Sequence, residues 1–146
     1  MKSAHLIVVG KLKNKNLTAL EDDYLKRITN PKLIIHEVKA KAEDKESEAL
    51  AVLKKIESLS PSPYITTLTE FGSEFDSQKF SRWISDKALN HSCLIFVICG
   101  AEGPGSLLLE KTNHKLSLSK LTYPHKLARL LFVEQFYRSQ TIRDGH

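Results

Sequence analysis

At 146 residues the chain suits one domain, which at that size buries roughly 70% of its unfolded surface and needs no metal or disulfide staple. The net charge is +5, and its excess is local: residues 1–110 hold 15 Lys/Arg against 15 Asp/Glu, whereas residues 111–146 hold seven against Glu134 and Asp144. Cys93 and Cys99 would lie roughly 20 Å apart on one strand, beyond disulfide reach, and no stretch suits a secretion signal or a membrane span, so a reduced, soluble, cytoplasmic protein is expected.

Leu6–Val9 is a β-branched run closed by Gly10 and followed by the basic loop KLKNKN, which predicts a buried strand. The glycine fingerprint of an open nucleotide-binding fold is missing from that turn. Leu17, Leu20, Tyr24, Leu25 and Ile28 form one stripe, predicting a helix over Leu17–Ile28 that stops before Asn30-Pro31. Leu33–Val38 returns as a strand and Lys39–Lys45 reads as a loop. Leu50, Leu53 and Ile56 then mark a helix over Glu48–Leu59, ended by Ser60-Pro61-Ser62-Pro63.

Tyr64–Thr69 is the third strand, and Glu70-Phe71-Gly72-Ser73 reads as a turn. Asp76 or Ser77 caps a helix whose inner face carries Phe80, Trp83, Ile84 and Leu89. Cys93–Ile98 is the most apolar strand, as expected of a central parallel strand covered on both faces. The alternation predicts an α/β domain with a mostly parallel sheet and helices on both faces.

Gly100, Gly103 and Gly105 follow that strand directly, and Ser106–Lys111 can form a short helix. Glycines at the carboxyl edge of a parallel strand allow a ligand to approach the backbone, although the order is also that of a plain tight turn. Leu116–Leu118 is a short strand and Ser119–Pro124 a turn. The last helix starts near Pro124 or His125 and is apolar nearly all round through Leu127, Leu130, Leu131, Phe132, Val133, Phe136 and Tyr137. Such a helix is either central to the core or covered by a second copy of the chain.

The six histidines are scattered and show no metal-ligand spacing with the cysteines, so no metal is expected. P-loop and nucleophile-elbow motifs are missing. Glu134 and Arg138, four apart, are either an intrahelical ion pair or part of a polar cluster at a pocket rim, and His125 is either a helix-start residue or a site residue. The basic C-terminal segment beside a candidate pocket suggests a phosphate-rich partner.

The segments ICGAEG, LSLSKLTYPH and LARLLFVEQFYR, with the opening VVGKLKNK, closely resemble the small SPOUT-class RNA methyltransferases of the ribosomal RNA large subunit methyltransferase H family. The similarity runs over nearly the whole chain and is strongest in LSxxTxPH and the helix with VEQxYR. The resemblance implies a single SPOUT-like domain over residues 1–146 with a C-terminal trefoil knot. It implies a homodimer, formed through the C-terminal helix region, acting on large-subunit (23S) ribosomal RNA within the subunit or the assembled ribosome. The implied reaction is transfer of a methyl group from S-adenosylmethionine to N3 of a pseudouridine.

By position, the implied cofactor contacts fall on Leu68, Cys99, Gly100, Leu118, Ser119, Lys120, Leu121, Thr122 and Tyr123. Glu134 and His125 are candidates for proton handling, Arg129 and Arg138 for phosphate or oxyanion contact, and Tyr137 for stacking. The family has a Gly-Gly pair where this chain has Cys99-Gly100, and its members continue past the Gly-His region with a short Tyr-His-basic tail where this sequence stops at His146. A non-catalytic RNA- or ribosome-binding protein of the same fold is the alternative from a different functional class, distinguished by titration with S-adenosylmethionine.

Overall fold

The computed structural model describes residues 2–41 and 44–145, so part of the expected Lys39–Lys45 loop and the terminal His146 lie outside the described residues. Strands and helices alternate: β1 (Ser3–Val9), α1 (Lys15–Arg27), β2 (Leu33–Val38), α2 (Lys45–Leu59), β3 (Tyr64–Glu74), α3 (Ser77–Asn90), β4 (Cys93–Ile98), α4 (Ser106–Lys111), β5 (His114–Ser117) and α5 (His125–Arg143). The sheet order is β2-β1-β4-β3-β5, and each neighbouring pair is parallel. This is the α/β architecture that the alternation predicts.

Successive strand residues point to opposite faces, so β1 and β4 divide their side chains between two cores. Leu6, Val8, Leu94, Phe96 and Ile98 face one side, where they meet Phe80 and Ile84 of α3 and Phe132, Val133 and Phe136 of α5. Ile7, Val9, Ile95 and Val97 face the other, against Ala49, Val52 and Ile56 of α2 and Leu108 of α4. Every residue of β4 is buried, which accounts for its unbroken apolar run.

Local polar chemistry sets the helix starts. Asn14, Asp44 and Asp76 each accept from a backbone N–H three residues on, satisfying a donor that the first turn leaves free. Pro124 stands just outside α5 in an extended conformation, and its carbonyl accepts from the amides of Leu127 and Ala128, both at 3.0 Å. At the other end of α5, Gln140 is buried and clasps the α1–β2 connection: Thr29 N–H donates to its Oε1, and its Nε2 donates to the Pro31 carbonyl, each at 2.8 Å.

Several expected inner positions are corrected. Leu20, Leu50 and Leu89 are exposed: α1 and α2 turn Glu21 and Val52 inward, and in α3 the expected Phe80 and Ile84 are buried while Ala88, next to Leu89, packs against the core. The turn expected at Glu70–Ser73 is part of β3. There the ladder to β5 slips: Leu116 faces Leu68 and then Ser73, so residues 69–72 bulge out as a flap. Gly72 closes the flap against β5 so tightly that a Cβ there would lie 2.6 Å from the Lys115 carbonyl carbon and oxygen. No described helix is long and apolar enough to cross a membrane.

Candidate functional site

The carboxyl ends of β3, β4 and β5 open into a cavity of about 730 Å3, within the size range of small-molecule sites. Its walls come from Leu68–Phe71, Ile98–Pro104, Ser117–Ser119 and Leu121–Pro124, with Lys45 from α2 and His125 and Ala128 from α5. This is the edge where parallel sheets present backbone groups to ligands. Leu68, Cys99, Gly100, Leu118, Ser119, Leu121, Thr122 and Tyr123 all line it, although they come from three separate chain segments. Lys120, expected with them, is exposed and is not among the lining residues.

The cavity's loops are tied down by their own polar groups. Ser117 Oγ donates to the Ser119 carbonyl at 2.9 Å, and Leu121 N–H donates to Ser119 Oγ at 3.0 Å. Thr122 Oγ1 donates to Glu70 Oε1 at 2.8 Å, joining the β5–α5 loop to the β3 flap. In the glycine turn, Gly103 N–H donates to the Gly100 carbonyl at 3.0 Å.

The first turn of α2 braces the glycine turn from behind. Gly105 precedes α4 and offers no side-chain cap. Glu46 fills that role from another helix, accepting from Ser106 N–H at 3.0 Å, Ser106 Oγ at 3.1 Å and Leu107 N–H at 3.2 Å. The Ser106 and Leu107 amides hold its carboxyl below the usual range. Glu48 is buried, accepts from Lys41 N–H at 2.7 Å, and lies so near Gly100 that a Cβ there would stand 3.0 Å from its Oε1. Burial, reinforced by Glu48, pushes the Cys99 thiol up to about 12, so Cys99 serves the wall as a small neutral group.

Among the candidate catalytic residues, His125 alone lines the cavity. Arg129 is buried, and its guanidinium is taken up by Glu21 at 2.7 and 2.9 Å and by Glu37 at 2.6 Å. Glu37 also accepts from Leu12 N–H at 3.2 Å, so the cluster fixes the loop after β1 against α1 and α5. Glu134 and Arg138 form the intrahelical pair that their spacing allows, at 2.8 Å, and neither is among the cavity-lining residues. Tyr137 is engaged within the chain, its ring 5.7 Å from that of Tyr24 and under the Arg27 guanidinium.

Sequence reasoning missed the bracing carboxylates Glu21, Glu37, Glu46 and Glu48. Glu46 and Glu48 had a local signal, as acidic residues in a helix's first turn, but the partners of Glu46 lie 60 and 61 residues away.

A family model described as "Predicted SPOUT methyltransferase" matches residues 1–146. Among curated proteins, the ribosomal RNA large subunit methyltransferase H of Bacteroides fragilis is 33% identical over 150 residues, covering 96% of this chain and 94% of that protein. The protein of the same name from Clostridium tetani is 37% identical over 153 residues, with the same coverage. Among solved structures, the SpoU methyltransferase AviRb from Streptomyces viridochromogenes superposes with a TM-score of 0.50 at 9% identity, covering 99% of this chain. The chain spans 61% of AviRb's length, and that likeness concerns the fold alone.

Proposed function

The chain belongs to the SPOUT methyltransferases, and on that premise we propose that it transfers a methyl group from S-adenosylmethionine to N3 of a pseudouridine in large-subunit ribosomal RNA. Ribosomal RNA methylation is the activity carried in the names of its relatives. The observation that carries the finer reading is the cavity at the sheet's carboxyl edge, where the glycine turn and Leu118–Tyr123 face one another. Its volume, apolar walls and exposed backbone suit a nucleoside-like cofactor.

In this reading Leu68, Leu118, Leu121 and Tyr123 enclose the adenosine portion, and backbone groups at Cys99, Gly100 and Ser119–Thr122 read its polar edge. The bound cofactor supplies a methyl carbon already activated by its sulfonium. What remains for the protein is alignment of N3 and a route for its proton. His125, at the cavity edge on the first turn of α5, is placed to accept that proton directly or through water.

The reading includes a homodimer and a C-terminal trefoil knot, and it sets the protein in the cytoplasm, where ribosomes are. Leu127 and Leu131 support the dimer: they share one face of α5 with Glu134 and Arg138, and are 44% and 40% exposed in the single chain. A second copy packed there would cover both leucines.

The test uses ribosomes from cells lacking the protein, incubated with the pure chain and S-adenosylmethionine and then mapped by mass spectrometry. One pseudouridine of the large-subunit RNA is expected to gain one methyl group on N3. No new methyl group, or one placed elsewhere, would overturn the reading.

A further inference from the structure

Phe71 is 92% exposed, the most exposed large apolar side chain among the described residues, and it sits at the mouth of the cavity. A buried Phe gains transfer free energy that this ring forgoes. Single exposed apolar residues are common and mean little by themselves. This one differs in how it is held.

The flap that carries it is fastened on both sides of the ring. Glu70, its neighbour, accepts from Thr122 across the cavity mouth at 2.8 Å. Gly72, on the other side, lies against the β5 backbone more closely than any residue with a Cβ could. The sheet register itself is broken to create the projection, since Leu116 serves opposite both Leu68 and Ser73. A built, pinned projection with an aromatic ring at its tip is a surface made for contact.

The surroundings select the partner. Lys45 lines the same cavity, and Lys115 and Lys120 are exposed on β5 and on the loop that follows it. Two acids line the cavity: Glu70, which accepts from Thr122, and Glu102 in the glycine turn. Leu121 and Tyr123 add exposed apolar surface on the opposite rim. Aromatic surface among lysines is the pattern that binds unpaired nucleotides, by stacking bases and pairing phosphates. The chemistry requires such nucleotides: N3 lies on the pairing edge of the base, so the target must leave its pair and its stack before a methyl group can reach it.

Resting on the function proposed above, we propose that Phe71 is a base-stacking residue, receiving an unpaired nucleobase of the ribosomal RNA loop on its ring as the target enters the cavity. The ring offsets the stacking that the RNA gives up.

The test measures equilibrium binding of the full-length chain to ribosomes from cells lacking the protein, alongside methylation. Phe71→Ala should weaken ribosome binding roughly 5- to 150-fold, the equivalent of one lost base–aromatic stack. Phe71→Trp should restore binding, and Phe71→Leu should not. S-adenosylmethionine affinity by calorimetry, oligomeric state and melting temperature should match the parent in all three variants.

Unchanged ribosome binding by Phe71→Ala, or full rescue by Leu, would overturn the stacking role. A loss of cofactor affinity or of the dimer would also overturn it, by making Phe71 a lid or an interface residue. A parent chain that binds ribosomes through Phe71 yet methylates nothing would sink the proposed function and leave this inference standing.

Discussion

Arg129 and Glu21 form a two-pronged ion pair inside the protein, Nε to Oε2 at 2.7 Å and Nη2 to Oε1 at 2.9 Å, with both side chains buried. They belong to α5 and α1, and Glu37 of β2 completes the set from the other side of the guanidinium. Removing the cation leaves an uncompensated carboxylate in the interior. Arg129→Met is therefore expected to cost about 3–5 kcal/mol in chemical denaturation, and adding Glu21→Leu should recover part of the loss. A single-variant cost below about 0.5 kcal/mol would show that the pair is dispensable.

His5 and His36 face each other across β1 and β2 with their ring nitrogens 2.9 Å apart. Burial holds both below the usual imidazole range; Lys55 adds to this for each, and His5 further lowers His36. The folded state therefore favours their neutral forms, and between the folded values and 6.5 the unfolded chain binds more protons. Their contribution to stability is full above 6.5 and declines as pH falls through the folded values. His114, lowered by burial and by Lys87, acts in the same direction. Urea denaturation at about pH 7.5 and about pH 5.5 should give the lower stability at acid pH, and His5→Asn with His36→Asn should reduce that difference. An unchanged difference would remove the pair from the explanation.

Cys99 belongs to the cavity wall yet should resist alkylation, because its thiol is pushed up to about 12 and the thiolate is the reacting form. Mass spectrometry after iodoacetamide treatment near pH 8 should find Cys99 unmodified in the folded chain and modified in urea. Reaction of the folded protein at the rate of a free thiol would contradict the burial.

The half-exposed leucines of α5 give a test of the second copy. Leu127→Glu together with Leu131→Glu should convert the proposed dimer to a monomer in light scattering after gel filtration, with melting of the isolated chain little changed. A chain already monomeric would overturn the dimer, and a dimer indifferent to both charges would place its interface elsewhere.

Strand and helix order was legible because each element carries its own period: β2, β4 and α4 begin and end where their patterns do. The end of β3 was hidden, since Glu-Phe-Gly-Ser reads locally as a turn and only the partner β5 makes it a strand with a flap. The cavity was half legible. Glycines after β4 pointed to its edge, while Leu68 and the Leu118–Tyr123 loop were reached through family resemblance and not through spacing. The role of Arg129 was illegible, because nothing local to α5 announces a carboxylate 108 positions earlier. Leu127 and Leu131 look like core in a helical wheel and prove half-exposed, since α3 and α1 cover only part of the circumference.

The place of β4 in the sheet also governs how the chain reaches its native form. β1 pairs with β2 on one side and β4 on the other, and β3 pairs only with β4 and β5. As the polypeptide leaves the ribosome from its N-terminus, β3 therefore has no sheet partner until residues 93–98 have been made. For that interval the nascent chain carries two bare strand edges waiting for the same insertion, the kind of surface on which chains mispair. Assembly of the sheet is thus a late, non-local event, and the cavity at its edge, whose walls include Tyr123, His125 and Ala128, comes into being only near the end of synthesis.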